Sequence, residues 1–390
     1  MKKLIAVSAV AALAATALSA EITFGSWGRS LWTVAANGYD ATDDSDQIVT
    51  DIHQSWGGDA PRTALAVNGS SDNIGFALDI HGNGKGINQG DNAYIWAKPI
   101  DQVKVYMGKL DVNVLRGDGC FGLWNWDRIG CVDGSEGWTF ADYLDAEGFG
   151  VSVVATPTEG LTLGAGIPLE CGNGGDVKKD GTHTLSGVYA HRAAYVGAYA
   201  IEGVGTIKAA LKTLPKTSDD KSQTEVAAAF DLTAVENLFV SLGARINTNS
   251  DVHDKAINAY ARYGVNEQLT VHAIVGTKLS AVYIDKDKGP KDDGFGFIFG
   301  AGVDYALDGG IGLFADVRYA NGIYKSASNA DNTDSLTLGA GVTKGFSNGV
   351  IGIAFEGATN NGGRYALKKN DDGVANKFSW EIPVKFEYWF

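Results

Sequence analysis

The chain is 390 residues long, 45% apolar and 10% aromatic, with 46 acidic against 32 basic side chains. That apolar share excludes a disordered chain, and a net charge of −14 with no Lys/Arg-dense run excludes a general nucleic-acid binder, which needs concentrated positive charge. Glycine, at 52 residues, is high for a helical enzyme and lacks the Gly-X-Y period of collagen.

The chain opens with Lys2 and Lys3, an apolar stretch from Leu4 to Leu18, then Ser19-Ala20, the layout of a bacterial secretory signal peptide. Cleavage after Ala17 and after Ala20 both fit; residues 1–20 are read as the signal and 21–390 as a single mature domain. The apolar stretch is shorter than the roughly 20 residues a spanning helix needs, and no later segment reaches that length. Export permits disulfides. Cys120 and Cys131 are expected to close a short ring, leaving Cys171 over.

From Glu21 onward, runs of eight to thirteen residues alternate apolar with small or polar positions. Ile74, Phe76, Leu78 and Ile80 make one stripe; Leu238, Val240, Leu242, Ala244 and Ile246 another; Phe295, Phe297 and Phe299 a third. No long segment after the signal has apolar residues three and four apart, so the mature chain is all-β. Short turns fall at 69–73, 98–102, 156–160, 202–203, 234–237, 264–268, 307–310 and 345–349. Longer connections fall at 36–60, 82–91, 112–145, 169–182, 214–222, 248–254, 285–293, 321–334 and 359–375. These join 18 strands, or 16 if the run at 91–98 and its neighbour are loop, with both ends on the short-turn side. The pattern predicts a transmembrane antiparallel β-barrel with short periplasmic turns and long outer loops.

A soluble sheet must bury its apolar face against another layer, whereas a membrane barrel turns it to lipid and can wet the other face. The non-apolar positions are mostly Gly, Ser, Thr, Asp, Arg and Lys, which suits a wet lumen. Closure is then required, because an unpaired backbone group in hydrocarbon costs several kcal/mol. A secreted β-sandwich or β-helix is the rival, but no repeat of solenoid type occurs.

In the last strand Ile382, Val384, Phe386, Tyr388 and Phe390 alternate with Glu381, Pro383, Lys385, Glu387 and Trp389. This resembles the terminal strand of bacterial outer-membrane proteins, which implies recognition by the barrel-assembly machinery. Pro383 has inward parity and removes a ladder donor, so a bulge or a lost hydrogen bond is expected there. The connection 112–145 is similar in position and length to the third outer loop of general and sugar-specific porins, which folds inward and narrows the pore. On that resemblance the chain is expected to be a bacterial outer-membrane porin, and a homotrimer is implied with it.

Strand parity turns Asp79, His81, Lys104, Arg245, Arg262, Asp316, Arg318, Glu381, Lys385 and Glu387 to the lumen, and sets Arg29 and Arg62 opposite their local apolar stripes. Charges on facing walls orient polar solutes and bias ion selectivity. Arg116, Asp127, Arg128 and Asp133 are the constriction charges expected in the inward loop. Trp124 and Trp126, with Trp27 and Trp138, offer flat faces to sugar rings, whereas Trp32, Trp96, Trp380 and Trp389 suit lipid-facing belts.

No G-x-S-x-G elbow, H-E-x-x-H helix or metal-ligand spacing occurs, so no enzyme, metal or cofactor is expected. Strand-like sequence begins just after the signal, which leaves no room for the plug of an active importer. The acidic loop clusters, such as 43–46, read as solvated. The expected function is passive diffusion of small hydrophilic solutes or ions across the outer membrane, with its lipids and those solutes as partners. The alternative is a surface adhesin or structural barrel.

Overall fold

A computed structural model of the chain describes residues 21–40, 45–53, 61–82, 86–109, 115, 120, 149–168, 193–214, 223–248, 255–285, 289–321, 334–359 and 378–390. The strand segments in chain order are β1 (Glu21–Asp40), β2 (Ser45–His53), β3 (Arg62–Ser71), β4 (Ile74–Gly82), β5 (Ile87–Ile100) and β6 (Val103–Lys109). They continue as β7 (Phe149–Thr158), β8 (Leu161–Pro168), β9 (Ala194–Ile201), β10 (Gly205–Leu214), β11 (Gln223–Leu232) and β12 (Leu238–Asn247). The last are β13 (Lys255–Gly264), β14 (Leu269–Asp285), β15 (Gly289–Leu307), β16 (Ile311–Ala320), β17 (Ser335–Phe346), β18 (Gly349–Thr359) and β19 (Phe378–Trp389). The described residues add one turn of 3-10 helix and no helix long and apolar enough to cross a membrane.

All segments belong to one antiparallel sheet. β2 pairs with Leu31–Asp40 of β1, and β3 pairs with Glu21–Arg29 of the same strand. β2 and β3 are therefore two pieces of one interrupted strand, and the barrel wall counts 18 strands. The sheet closes where β1 meets β19, from Trp27 opposite Trp389 to Ala36 opposite Glu381. The Phe390 N–H donates to the Ser26 carbonyl at 2.7 Å, and the Ser26 N–H donates back to the Phe390 carbonyl at 3.1 Å. Opposite Pro383 the register slips between Thr33 and Ala35, the bulge expected where proline removes a donor.

All eight short turns lie where the alternation breaks. In the turn at 159–160, Gly160 takes φ +76°, and a Cβ there would come within 2.7 Å of the Ala200 carbonyl oxygen, so only glycine fits. The long connections need three corrections. Strand extends through Glu21–Asp40 and Ser45–His53, within the span 36–60 expected to be a connection. β5 begins at Ile87, which makes the run at 91–98 the middle of a 14-residue strand and removes the 16-strand option. β14 and β15 run on to Asp285 and from Gly289 as a tall hairpin. Each miss has one cause: at these ends the side chains are polar, so the backbone ladder continues where the apolar period fades.

The two faces differ as a membrane barrel requires. Phe24, Phe76, Leu242, Val275 and Phe299 are exposed on one face, while Ser241, Ile274 and Ile298 between them are buried on the other. Outward Leu, Ile and Phe side chains that meet lipid instead of water contribute about 1.5–3 kcal/mol each. Replacing Leu242, 55% exposed, by Arg should cost the barrel about 2–4 kcal/mol in a bilayer, read by urea titration of folding into vesicles. An unchanged midpoint would mean that this face does not touch lipid.

Candidate functional site in the barrel interior

The inward face carries three clusters of polar side chains. The first spans the closing seam. Trp27 of β1 meets His81 of β4 edge-on at 5.3 Å, with the guanidinium of Arg62 5.1 Å and that of Arg29 5.6 Å from its ring centroid. Arg62 donates to both oxygens of Asp91, at 2.9 and 3.0 Å, and to His81 Nδ1 through Nε at 3.2 Å and Nη2 at 2.6 Å. Because arginine only donates, Nδ1 must accept, which places the imidazole proton on Nε2. Arg29 pairs with Glu387 at 2.5 Å, and Lys385 joins the same carboxylate at 2.9 Å. Asp79 accepts from the backbone and side-chain nitrogens of Asn92, at 3.1 and 2.8 Å.

The second cluster holds the two described residues of the connection between β6 and β7. Leu115, fully buried, forms one apolar cluster with Cys120, Ala194 and Val196 of β9, Ala210 of β10, and Ala227 and Ala229 of β11. Cys120 donates its N–H to the Ser241 hydroxyl at 2.9 Å, and its thiol reaches the Asn258 carbonyl at 3.5 Å. Ser241 donates to Asp231 at 2.6 Å, and Asp231 pairs with Lys208 at 2.7 Å. Arg245 lies 3.7 Å from Glu225 beside this row. The inward alanines of β9 to β11 thus form a small apolar patch beside Lys208, in one cluster with Leu115 and Cys120, which departs from the polar inner face expected.

The third cluster lies on β12 to β15. The Arg262 guanidinium sits 5.6 Å from the Phe239 ring centroid, and Phe239 leans on Tyr260 at 6.1 Å. The Tyr260 hydroxyl meets His272 Nδ1 at 2.8 Å, and His272 Nε2 meets Asp304. Further round the wall, Arg318 is buried, and Glu356 stands directly opposite Glu381, which accepts from the Thr33 hydroxyl at 3.2 Å.

Asp79, Arg245, Arg262 and Arg318 therefore stand on the inward face, in separate clusters. Arg116, Trp124, Trp126, Asp127, Arg128 and Asp133 lie outside the described residues, as do Cys131 and the acidic run 43–44. The Cys120–Cys131 disulfide is corrected: Cys120 is a free thiol, turned against the wall onto Ser241 and Asn258. Trp96 is also corrected, from the lipid belt to the inward face, where the Lys104 ammonium sits 4.1 Å from its ring centroid. Trp389 shares the inward parity of Glu387, opposite Trp27. Lys208, Glu225 and Asp231 were missed. Their signal was present as single charges at inward parity set among alanines.

Burial pushes the Cys120 thiol up to about 11, so it stays protonated at neutral pH. In a Cys131→Ser/Cys171→Ser background it should resist maleimide while the barrel is folded and react on unfolding; labelling of the folded barrel would contradict this seat. Asp231→Asn should destabilise by about 3–5 kcal/mol by leaving the Lys208 ammonium buried without a counter-charge, and Lys208→Met in the same chain should restore part of the loss. Equal urea midpoints for both chains would show that the pair is not buried.

No protein-family model matches the chain, and no curated protein sequence does. Solved structures do match. Pseudomonas aeruginosa OpdL is similar with a TM-score of 0.55 at 11% identity, over 95% of this chain and 99% of that one. P. aeruginosa OpdQ gives 0.54 at 13%, over 95% and 98%. An anion-selective porin from Comamonas acidovorans gives 0.49 at 12%, over 95% and 100%. At such identities the likeness concerns fold alone: the chain is an 18-stranded antiparallel β-barrel that matches bacterial outer-membrane porin structures by fold.

Proposed function

We propose that the protein is a passive, water-filled channel for small hydrophilic solutes or ions, neither an enzyme nor an energised importer. The observation that carries this reading is a closed wall with apolar side chains outward and three groups of ionisable side chains inward, on a fold shared with porins. Leu115 and Cys120 seated on the inner wall of β9 to β13 support the segment 112–145 as the constriction. Arg116, Asp127, Arg128 and Asp133 are its proposed charges, and Trp124 and Trp126 its flat faces. Selectivity would follow from size exclusion there, together with the field of Arg29, Arg62, Arg245, Arg262 and Arg318 against the acidic side chains near them.

The C-terminal strand is the proposed signal for the barrel-assembly machinery. A homotrimer is supported by an outward notch of about 560 Å³ lined by Gly28, Ser30, Thr63, Gly349, Phe386 and Tyr388. Glycines in a concave, almost wholly apolar outer wall favour a protein neighbour, because backbones can approach closely there.

One observation favours the alternative, an adhesin or structural barrel. Leu31, Ser241, Asn258 and Ile274 on the inward face are at most 2% exposed, whereas an open lumen would wet them. Reconstitution in planar bilayers separates the readings. A pore gives stepwise openings of one reproducible size; folded, heat-modifiable barrels that stay silent would sink the channel and leave the adhesin.

A further inference from the structure

Where the barrel ends in short turns, β5 and β6 carry a group of basic and aromatic side chains of inward parity beside the turn 98–102. Trp96 stands directly opposite Tyr106, and Tyr94 meets the Tyr106 ring edge-on at 5.4 Å. The Lys104 ammonium lies 4.1 Å from the Trp96 ring centroid and 4.8 Å from that of Tyr106. Four other inward cations stand beside carboxylates: Arg29 by Glu387, Arg62 by Asp91, Lys208 by Asp231 and Arg245 by Glu225. Lys104 does not. Among the described residues the one charge that acts on it is the like charge of Lys98, and Asp101, exposed on the turn itself, does not reach it. Two ring faces steady an ammonium without supplying a counter-charge, or an oxygen acceptor for its three N–H groups. Both lysines are half-buried, so water and solutes reach them.

We infer that Lys98 and Lys104 form a docking site for doubly charged phosphate groups, inorganic phosphate or a phosphate monoester, at the short-turn mouth of the lumen. What the group lacks is negative charge, and a dianion supplies one charge for each ammonium. A lysine ammonium is a compact point charge that serves oxygens arrayed around a phosphorus, whereas a planar carboxylate is held best by the arginine fork, which is absent from this group. The Trp96 and Tyr106 faces fix the Lys104 ammonium in advance, so less freedom is lost when the anion arrives. A singly charged anion leaves part of the lysine charge unmatched, so the site selects by charge. Its role in transport rests on the channel reading; binding itself does not need conduction.

The test uses the full-length folded barrel in detergent micelles at low salt and about pH 8, where inorganic phosphate and methyl phosphate are dianions and dimethyl phosphate is a monoanion. Binding is followed by phosphorus NMR line broadening. The dianions should bind about ten-fold more tightly than the diester. Lys104→Gln and Lys98→Gln should each weaken the dianions roughly ten-fold in barrels that remain heat-modifiable. Lys344→Gln removes an exposed charge at the same end of the barrel and should leave binding unchanged. A preference for inorganic phosphate assigns the site to the free ion, and a preference for methyl phosphate assigns it to the ester. No dianion binding, equal affinity for the diester, or a loss in Lys344→Gln as large as in Lys104→Gln would overturn the proposal. The same protein in planar bilayers separates this outcome from failure of the channel reading. Phosphate binding by a silent barrel rejects the channel and keeps the site, whereas conduction without binding rejects the site and keeps the channel.

Discussion

Hydrocarbon offers no partner to a bare N–H or carbonyl, and every other feature of this molecule follows from that demand. A sheet satisfies it only by returning to its own first strand. Here the return is the ladder between β1 and β19, finished by the reciprocal bonds of Ser26 and Phe390. The demand is met even at awkward places. The interrupted second strand is patched by β2 and β3 along the one long β1, and Pro383 is absorbed by a bulge opposite it.

Closure makes an interior, and the interior reverses the usual rule for burial. Ionisable groups that a soluble core would reject are collected there in paired sets: Arg62 with Asp91 and His81, Arg29 with Glu387 and Lys385, Lys208 with Asp231. Lys208 and Asp231 are the buried pair, and pairing is what lets them be buried, since an isolated charge out of water costs far more than a hydrogen bond returns. The alanine-rich patch under Leu115 is the exception, a dry seat in a polar interior, with Ser241 and Asn258 beside it holding Cys120.

Much of this was legible from the chain. Period-two alternation is a property of neighbours, so the stripes at Ile74–Ile80 and Leu238–Ile246, the eight turns and the inward parity of Asp79, Arg245, Arg262 and Arg318 could be read directly. The reading failed where a residue's partner is remote. Cys120 was paired with its near neighbour in sequence, but its contacts are Ser241 and Asn258, more than a hundred residues on. Trp96 was assigned to lipid on its residue type, although the parity of Ile95 beside it already turned it inward.

The sequence by itself determined that the described residues are strand and turn, which side chains share a face, and that one face is built for lipid; these depend on chemistry repeated every second residue. Only the tertiary structure decided which charges meet across the seam and where Leu115 and Cys120 rest. Those meetings are set by closing the sheet into a cylinder, which brings together residues hundreds of positions apart and leaves no local trace in their order along the chain.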